Sequence, residues 1–373
     1  RPAEVLEIVR RVRAEVGRDF LIQYRISLLD LVSGGQTWDE TAELAVRLGA
    51  VAVENPLFPQ GMFSSVRTGV CALARGFDAF FLLPVDIPSV RTDTLRILAA
   101  KASRHGIVHP VFLGERGHPP LVGASITPHI LASSGEGGLR AVFNSCGAVA
   151  EDVPVTDEGI LLDMDTPEDY EVLRRRCKRL WLPSRREETA LWQSAGTPAR
   201  VRRHCEMVSS VSMSLGLALA DRGIKVNVPL LRGAALFHDV CRHEKDHAAA
   251  GATFLEHNGF SRLARIASGH RDLPANAPIE ARIVHLADKV VKDTSLVSLE
   301  ERMRSRDMSG RLTPIYASML VRPGVPGPAG VTLYGFSEKS GYLNEVLAVA
   351  EQKGAEPFVA RCLSGPSAAE SLA

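Results

Sequence analysis

The stretch Leu230-Leu-Arg-Gly-Ala-Ala-Leu-Phe-His-Asp239 decides the fold of the second half of the chain. It is long, almost wholly apolar and free of β-branched alternation, so it predicts a buried helix. The helix ends in a histidine followed by an aspartate. Burying these two side chains costs free energy unless each finds a partner. The stretch therefore predicts a helix that delivers His238 and Asp239 to a buried polar site.

Two further residues complete a pattern around this pair. His204 lies early on a helix that begins at Pro198, and Asp288 follows the run Ala281-Arg-Ile-Val-His-Leu-Ala287 on another helix. Imidazole nitrogens and carboxylates are ligands of divalent transition metals. Such a metal lowers the pKa of water and neutralises the charge that builds on a phosphoryl group. The four residues together predict a metal site suited to phosphoryl chemistry.

This order of residues resembles that of the HD phosphohydrolase superfamily. Leu236-Phe-His-Asp239 and Leu286-Ala-Asp-Lys289 fit the motif contexts of that superfamily. The resemblance implies an all-α HD-type helical bundle over residues 199–310 that holds a divalent transition metal such as Mn or Fe. The metal ligands that it implies are His204, His238, Asp239 and Asp288.

Two more histidines, His247 and His270, lie between the second and the last motif. Several branches of the superfamily use two histidines in this interval for a second metal. The resemblance therefore implies that Asp239, His247 and His270 are catalytic. The alternative, that His247 and His270 are ordinary surface histidines, stays open. Weaker candidates are His243 and His257, and His285 is expected to be structural.

Residues 47–175 have a different pattern, in which predicted strands alternate with helices. Ala79-Phe-Phe-Leu-Leu-Pro-Val85 and Gly106-Ile-Val-His-Pro-Val-Phe112 predict buried strands, and Val51-Ala-Val53 predicts a short one. A helix is predicted between the first two, over residues 91–103. Strands that alternate with helices are typical of a mostly parallel α/β sheet. The predicted fold class is therefore an α/β domain followed by an all-α bundle.

The α/β segment resembles the molybdenum cofactor cytidylyltransferases, which are MobA-like NTP transferases. The resemblance rests on Glu54-Asn-Pro-Leu-Phe-Pro-Gln-Gly-Met-Phe-Ser-Ser-Val66, Leu82-Leu-Pro-Val-Asp-Ile-Pro88, Arg116-Gly-His-Pro119 and Leu161-Leu-Asp-Met-Asp-Thr-Pro-Glu-Asp169. It implies a nucleotide site with Mg²⁺ as candidate cofactor and molybdopterin as candidate partner. The site residues that it implies are Asp86, Asp163, Asp165, Ser64, Ser65 and His118.

One feature of that family is missing. Its first strand is followed by a Gly-rich loop whose backbone amides cradle the triphosphate. No such loop occurs in the 373 residues, and Val32-Ser-Gly-Gly35 is the nearest glycine pair. We therefore expect an incomplete, Rossmann-like nucleotidyltransferase sheet with impaired triphosphate binding.

Residues 1–46 resemble a piece of the flavin barrels of old yellow enzyme and 2,4-dienoyl-CoA reductase. The resemblance rests on Ile22-Gln-Tyr-Arg-Ile-Ser-Leu-Leu-Asp-Leu-Val-Ser-Gly-Gly-Gln-Thr-Trp-Asp-Glu40, in which Arg25 matches a flavin-contacting arginine. A flavin site there needs a closed eight-stranded barrel. This segment supplies one predicted strand, Phe20–Ile26, and two helices, so we expect a flavin-barrel-like fragment that binds no flavin.

Composition excludes several classes of function. Lys plus Arg number 44 against 43 Asp plus Glu, so no global basic field attracts nucleic acid or anionic membrane. No apolar run approaches the roughly 20 residues of a membrane helix, and no signal peptide is recognised. The six cysteines are scattered without a CxxC pair, which favours reduced thiols and a cytoplasmic protein.

The domain prediction is completed by an Arg- and Glu-rich linker at residues 176–198 and an unassigned tail at 311–373. The predicted function is a metal-dependent phosphohydrolase that acts on a nucleotide or small phosphate ester, attached to an impaired transferase-like domain. Two alternatives stay open: a nucleotidyltransferase in molybdopterin cofactor maturation, and a non-catalytic chimeric chain. The oligomeric state is not indicated.

Overall fold

The computed structural model describes residues 22–24, 51, 53–73, 76–270, 273 and 277–297. The chain divides into two compact units. The first comprises residues up to 180 together with 184–194, and the second comprises 181–183 and residues from 195 onward. The first unit is α/β and the second is mostly helical, which confirms the predicted fold class. None of the described helices is both long and apolar enough to span a membrane.

Several predictions lie outside the described residues. They are the two helices at the start of the chain, the flavin-contacting position of Arg25 and the tail at 311–373. Of the predicted strand Phe20–Ile26, residues 22–24 are described, and they do form a strand.

The sheet of the first unit has six described strands. They are β1 (Ile22–Tyr24), β2 (Ala79–Leu83), β3 (Gly106–Phe112), β4 (Glu115–Arg116), β5 (Leu121–Gly123) and β6 (Val149–Pro154). Their order is β1-β2-β5-β3-β4, and β6 also pairs with β3. The predicted strand at 106–112 is confirmed residue for residue.

The prediction of a mostly parallel sheet is wrong. β1–β2 and β3–β6 are parallel, whereas β2–β5, β5–β3 and β3–β4 are antiparallel. The connections after β3 and β4 span residues 113–114 and 117–120, too short for the crossover that a parallel pair needs. The predicted strand at Val51–Val53 is also wrong, because Val51 is 85% exposed and neither valine is in a strand.

Helices cover both faces of this sheet. They are α1 (Met62–Cys71), α2 (Thr92–Ala99), α3 (Thr127–Ala132), α4 (Gly138–Ser145), α5 (Pro167–Cys177) and α6 (Arg185–Ser194). Consecutive strand side chains point to opposite faces. Phe80 therefore joins a core cluster with residues of α1, α3 and α4, whereas Phe81 joins a second cluster with residues of α2. Burial on both faces explains the unbroken apolar run in β2.

Helix α6 lies within the predicted linker yet belongs to the first unit. Its Glu187 is fully buried and pairs with Arg91 at 3.0 Å and with Arg176 at 2.7 Å. Asp157 accepts a 2.9 Å hydrogen bond from the same Arg176 side chain. The Arg and Glu residues that suggested a solvated linker therefore include members of a buried ionic cluster.

The second unit consists of five described helices, a 3₁₀ turn and a short hairpin. They are α7 (Ala199–Ala220), α8 (Val228–Phe237), α9 (His247–His257), α10 (Ser261–Ala267), the turn Ser268–His270, α11 (Ile279–Val290), β7 (Val291–Lys292) and β8 (Ser295–Leu296).

Helix α8 is buried over most of its length. Its first turn is capped by Asn227, whose side chain accepts a hydrogen bond from the Leu230 backbone at 3.1 Å. Leu231 is fully buried, and a Cβ on Gly216 of α7 would lie only 2.5 Å from its side chain. The backbone of α7 at Gly216 therefore lies in close contact with the side chain of Leu231 on α8. This close packing carries the end of α8, and the His-Asp pair that follows it, into the interior.

Candidate metal centre

Six candidate side chains converge from five parts of the helical unit. His204 lies on α7, and Asp288 lies on α11. His238 and Asp239 follow α8 directly, whereas His247 begins α9 and His270 ends the 3₁₀ turn. The sequence-predicted residues form two groups of three. Within each group, the ligand atoms all lie within 4.8 Å of one another. The first group is His204, His238 and Asp288, and the second is Asp239, His247 and His270.

The first cluster, His204–His238–Asp288, is centred on one carboxylate oxygen. Oδ1 of Asp288 lies 3.2 Å from Nε2 of His204 and 3.5 Å from Nε2 of His238. All three side chains are at most one-sixth exposed. Two imidazole nitrogens and a carboxylate oxygen facing one point form a donor set that suits a divalent transition metal.

The second cluster, Asp239–His247–His270, has the same composition. Oδ1 of Asp239 lies 3.3 Å from Nε2 of His247 and 3.3 Å from Nε2 of His270. All three residues are buried. Burial argues against the alternative that His247 and His270 are ordinary surface histidines. His243, by contrast, is nearly half exposed, and His257 is exposed at the end of α9.

Backbone carbonyls fix the orientation of three of the rings. Nδ1 of His238 lies 2.8 Å from the Ala235 carbonyl, and Nδ1 of His270 lies 2.7 Å from the Ala267 carbonyl. Nδ1 of His204 lies 3.0 Å from the carbonyl of Asp293. A proton on each Nδ1 donates to these carbonyls, so Nε2 is the ring atom that faces the cluster, where it can give up its own proton and bind a metal. This is the outer-shell arrangement that orients metal-binding histidines.

Two buried atoms at the centre lack hydrogen-bond partners. They are Nε2 of His238 and Oδ1 of Asp239. Most buried polar atoms in proteins are satisfied, and an exception indicates an unseen group such as an ion or water. Both unsatisfied atoms are electron-pair donors that belong to the two clusters. The residues therefore fit a divalent metal.

The charges around the clusters are strongly coupled. Burial opposes ionisation of Asp288, but Lys289 and the two histidines outweigh it and hold the pKa of its carboxyl well below its usual range. Likewise, His270 and His238 overcome burial and keep the pKa of Asp239 low. Carboxylates that stay ionised are what a metal requires.

His285 has a supporting role that fits its structural prediction. It is buried on α11, and its Nδ1 lies 2.7 Å from the backbone carbonyl of His270. Burial, followed by the positive charge of Lys289, lowers the pKa of His285 to about 4. The neutral ring donates to the carbonyl and so holds the 3₁₀ turn that carries His270.

Sequence reasoning missed Asp293 and Arg200. Their side chains form an ion pair at 2.5 Å, and the Asp293 carbonyl orients His204. Asp293 has a positive φ of 57° within the β7–β8 turn. No sequence pattern identified this contact, because residues 204 and 293 meet only through packing of α11 and its following hairpin against α7.

In the first unit, the structure brings part of the predicted nucleotide site together. The negative charge of Asp86 acts on His118, whose pKa is lowered chiefly by burial. Oδ1 of Asp86 and Nδ1 of His118 are buried without hydrogen-bond partners. The two side chains thus lie in one polar region with open hydrogen-bonding capacity.

The other predicted residues of that site lie elsewhere or have local roles. Asn55, which sequence reasoning did not single out, donates hydrogen bonds of 2.9 Å to both Ser64 and Ser65 at the start of α1. Asp163 and Asp165 are exposed on the segment before α5. Within the described residues, no group of three His, Cys, Asp or Glu side chains around Asp86 is placed to hold a metal.

Comparison with known families accounts for both units. Residues 28–151 match the model of the MobA-like NTP transferase domain, and residues 201–293 match the model of the HD domain. The chain therefore carries a MobA-like NTP transferase domain over residues 28–151, followed by an HD domain over residues 201–293. The NTP transferase match begins at residue 28, inside the segment likened to flavin barrels, and the HD match spans all six clustered residues.

Two curated proteins are similar to parts of the chain. The purine catabolism protein PucB of Bacillus subtilis is 34% identical over 121 residues, which cover 31% of this chain and 57% of PucB. The chain thus spans little more than half the length of that relative. The uncharacterized protein MJ0778 of Methanocaldococcus jannaschii is 31% identical over 121 residues, which cover 27% of this chain and 72% of MJ0778.

Among solved structures, Rv0371c of Mycobacterium tuberculosis is 22% identical and has a TM-score of 0.34. The match covers 45% of this chain and 83% of that one. Rv0371c in complex with manganese is 24% identical with a TM-score of 0.33, over 45% of this chain and 85% of that one.

Proposed function

We propose that this chain is a metal-dependent phosphohydrolase that acts on a nucleotide or a small phosphate ester. One observation carries the proposal: two buried clusters of His, His and Asp meet at the end of α8, and two of their donor atoms lack partners. The HD domain match over residues 201–293 supports hydrolase chemistry at this place.

The metal ligands that we propose are His204, His238 and Asp288 for one ion and Asp239, His247 and His270 for a second. A divalent transition metal such as Mn²⁺ or Fe²⁺ would activate water and neutralise charge on the phosphoryl oxygens. The protein contributes the fixed Nε2 atoms, since the Nδ1 atoms of three rings already bond to backbone carbonyls.

Basic side chains next to the clusters suit a phosphorylated substrate. Nζ of Lys289 lies 2.6 Å from Oδ2 of Asp288, and Nε of Arg242 lies 3.6 Å from Oδ2 of Asp239. A guanidinium group matches the geometry of phosphate oxygens. Arg242 is 43% exposed and can reach a ligand from the solvent side. We assign it the task of orienting the phosphate.

Proton transfer to the leaving oxygen needs a group whose titrating atom faces the substrate. His270 holds its Nδ1 toward the Ala267 carbonyl, so Nε2 is the ring atom turned to the cluster. His247 presents Nε2 to the same place. When no second ion binds, His270 is positioned to serve as general acid, whereas Nη1 of Arg242 lies 2.6 Å from Nε2 of His247.

A nucleotide is the substrate class that we favour. The accompanying domain belongs to a family of NTP transferases, and a relative of part of the chain is named a purine catabolism protein. Two nucleotide-handling domains in one chain would act on related molecules.

A second candidate function is nucleotidyl transfer by the first unit, with Mg²⁺ and molybdopterin as candidate cofactor and partner. The observation that favours it is the pair of unsatisfied atoms on Asp86 and His118. We rank it second, because the sequence lacks the Gly-rich triphosphate loop and because Asp163 and Asp165 are exposed.

The test is the metal content of freshly purified protein, measured by elemental analysis, beside a screen of nucleoside phosphates and p-nitrophenyl phosphate. We expect one or two transition-metal ions per chain together with phosphate release, and we expect Asp288→Ala to lose both the ion of the first cluster and phosphate release. Protein without metal after loading with Mn²⁺ or Fe²⁺ would contradict the phosphohydrolase proposal.

A further inference from the structure

Each cluster carries one basic side chain, but the two are placed differently. Lys289 contacts the first cluster through Oδ2 of Asp288, at 2.6 Å. Both histidines of that cluster face the other oxygen, Oδ1. The lysine therefore lies on the side of the carboxylate away from the ligand atoms and leaves all of them accessible to a metal.

Arg242 contacts the second cluster through a ligand atom itself. Its Nη1 lies beside the ring of His247, 2.6 Å from Nε2 and 3.4 Å from Nδ1, while its Nε lies 3.6 Å from Oδ2 of Asp239. Nε2 of His247 is the atom that faces Oδ1 of Asp239 across the cluster. The guanidinium thus covers one of the three donor atoms and brings a positive charge to the position that a second ion would take.

A guanidinium and a divalent cation cannot share this position. A guanidinium nitrogen 2.6 Å from Nε2 of His247 takes up space that a metal bound to that nitrogen needs, and the two positive charges repel each other in a poorly solvated place. Removal of Arg242 costs little burial, because 43% of its side chain is exposed, whereas His247 is 8% exposed. The arginine is the movable member of the pair.

We propose that Arg242 is an exchangeable occupant of the second cluster, so that a second metal binds there only after the guanidinium has moved away. The proposal rests on the proposed function, since it takes the first cluster as the resident metal site. It makes the protein a one-metal enzyme at low metal concentration and a two-metal enzyme at high concentration.

The experiment is a calorimetric titration of the metal-stripped full chain with Mn²⁺, for the wild type and Arg242→Gln. We expect the wild type to bind a first ion tightly and a second at least tenfold more weakly. Arg242→Gln is expected to tighten the second ion at least tenfold and to leave the first within about twofold. Spin coupling between the two ions in the EPR spectrum reports independently on the two-metal state.

Lys289→Gln is the matched control, because it removes the same charge from the other cluster. It leaves the affinity for the second ion within a few-fold of wild type if Arg242 acts by occupancy. An equal gain in Lys289→Gln, or no gain in Arg242→Gln while one ion still binds, would overturn the Arg242 proposal alone. Absence of Mn²⁺ binding in all three proteins would overturn the proposed function and this inference together.

Discussion

His238 and Asp239 are consecutive residues that belong to different clusters. Nε2 of His238 lies 3.5 Å from Oδ1 of Asp288, whereas Oδ1 of Asp239 lies 3.3 Å from Nε2 of both His247 and His270. Only 3.8 Å separates Nε2 of His238 from Oδ2 of Asp239. The dipeptide therefore links two candidate metal positions through adjacent backbone atoms.

Single-ligand variants should separate the two clusters. We expect His204→Gln to abolish the tight ion of the first cluster, because it removes one of three donor atoms. His247→Gln should keep that ion and lose the second. Loss of an outer-shell partner alone typically costs 10–100-fold in metal affinity, so direct ligands should cost at least as much. Equilibrium dialysis with Mn²⁺ measures both affinities.

His257→Gln provides the control for these variants. His257 is exposed at the end of α9 and belongs to neither cluster. We expect it to bind both ions as the wild type does. Equal losses in His204→Gln and His247→Gln would contradict the division into two clusters.

Metal removal should destabilise the helical unit. A ligand that binds only the folded state at 100 times its Kd stabilises that state by about 2.7 kcal/mol. For a folding unit of roughly 150–250 residues, this stabilisation corresponds to a rise in Tm of roughly 5–10 °C. We expect Mn²⁺ to produce such a rise, EDTA to reverse it and Asp288→Asn to abolish it. Differential scanning calorimetry measures the shift, and a transition from the first unit that does not move is the internal control.

Glu187→Gln should destabilise the first unit and change its response to acid. Burial opposes ionisation of Glu187, but Arg91 and Arg176 outweigh it and hold its pKa below the usual range. The group thus stabilises the fold above about pH 4.5, and this contribution falls as the pH drops below that value. Removing one partner of a buried ion pair typically costs about 3–5 kcal/mol. Urea unfolding at pH 7 and pH 4, followed by fluorescence, should show a large difference between variant and wild type at pH 7 and a smaller one at pH 4.

Glu171→Gln is the matched surface control for this prediction. Glu171 pairs with Arg174 on α5, and both side chains are at least 40% exposed. Exposed pairs contribute little to stability. We expect its unfolding midpoint to equal that of wild type at both pH values, and an equal loss in the two variants would argue against a special role of the buried cluster.

Asp86→Asn should test whether the first unit binds a magnesium nucleotide. If the polar region around Asp86 and His118 receives a magnesium nucleotide, loss of the carboxylate should weaken binding of Mg–CTP about tenfold or more, since Mg²⁺ is held by one or two carboxylates and the phosphates. Asp78→Asn is the control, because Asp78 is exposed and pairs only with an exposed Arg104 among the described residues. Isothermal titration that detects no Mg–CTP binding by the wild type would contradict a nucleotide site in this unit.

Much of the fold could be predicted from local pattern. The strand predicted over 106–112 has those bounds, the strand predicted over 79–85 forms over Ala79–Leu83, and the helix predicted over 230–237 forms over Val228–Phe237. The parallel character of the sheet and the strand at Val51 could not be predicted, because strand direction depends on connection length and on neighbours. Val51 and Val53 are in no strand, because none of the described strands pairs with them.

The sequence by itself determined the order of the domains and the identity of the six metal-site candidates, because residue type and motif context carry that information. Tertiary structure alone decided which of them face each other. His204 meets Asp288 across 84 positions. It also decided that Arg242 covers His247 and that α6 contributes Glu187 to a buried cluster in the first unit. Periodicity indicates which face of a helix is buried, but only the packing of that face against other elements decides which distant side chains come within bonding distance.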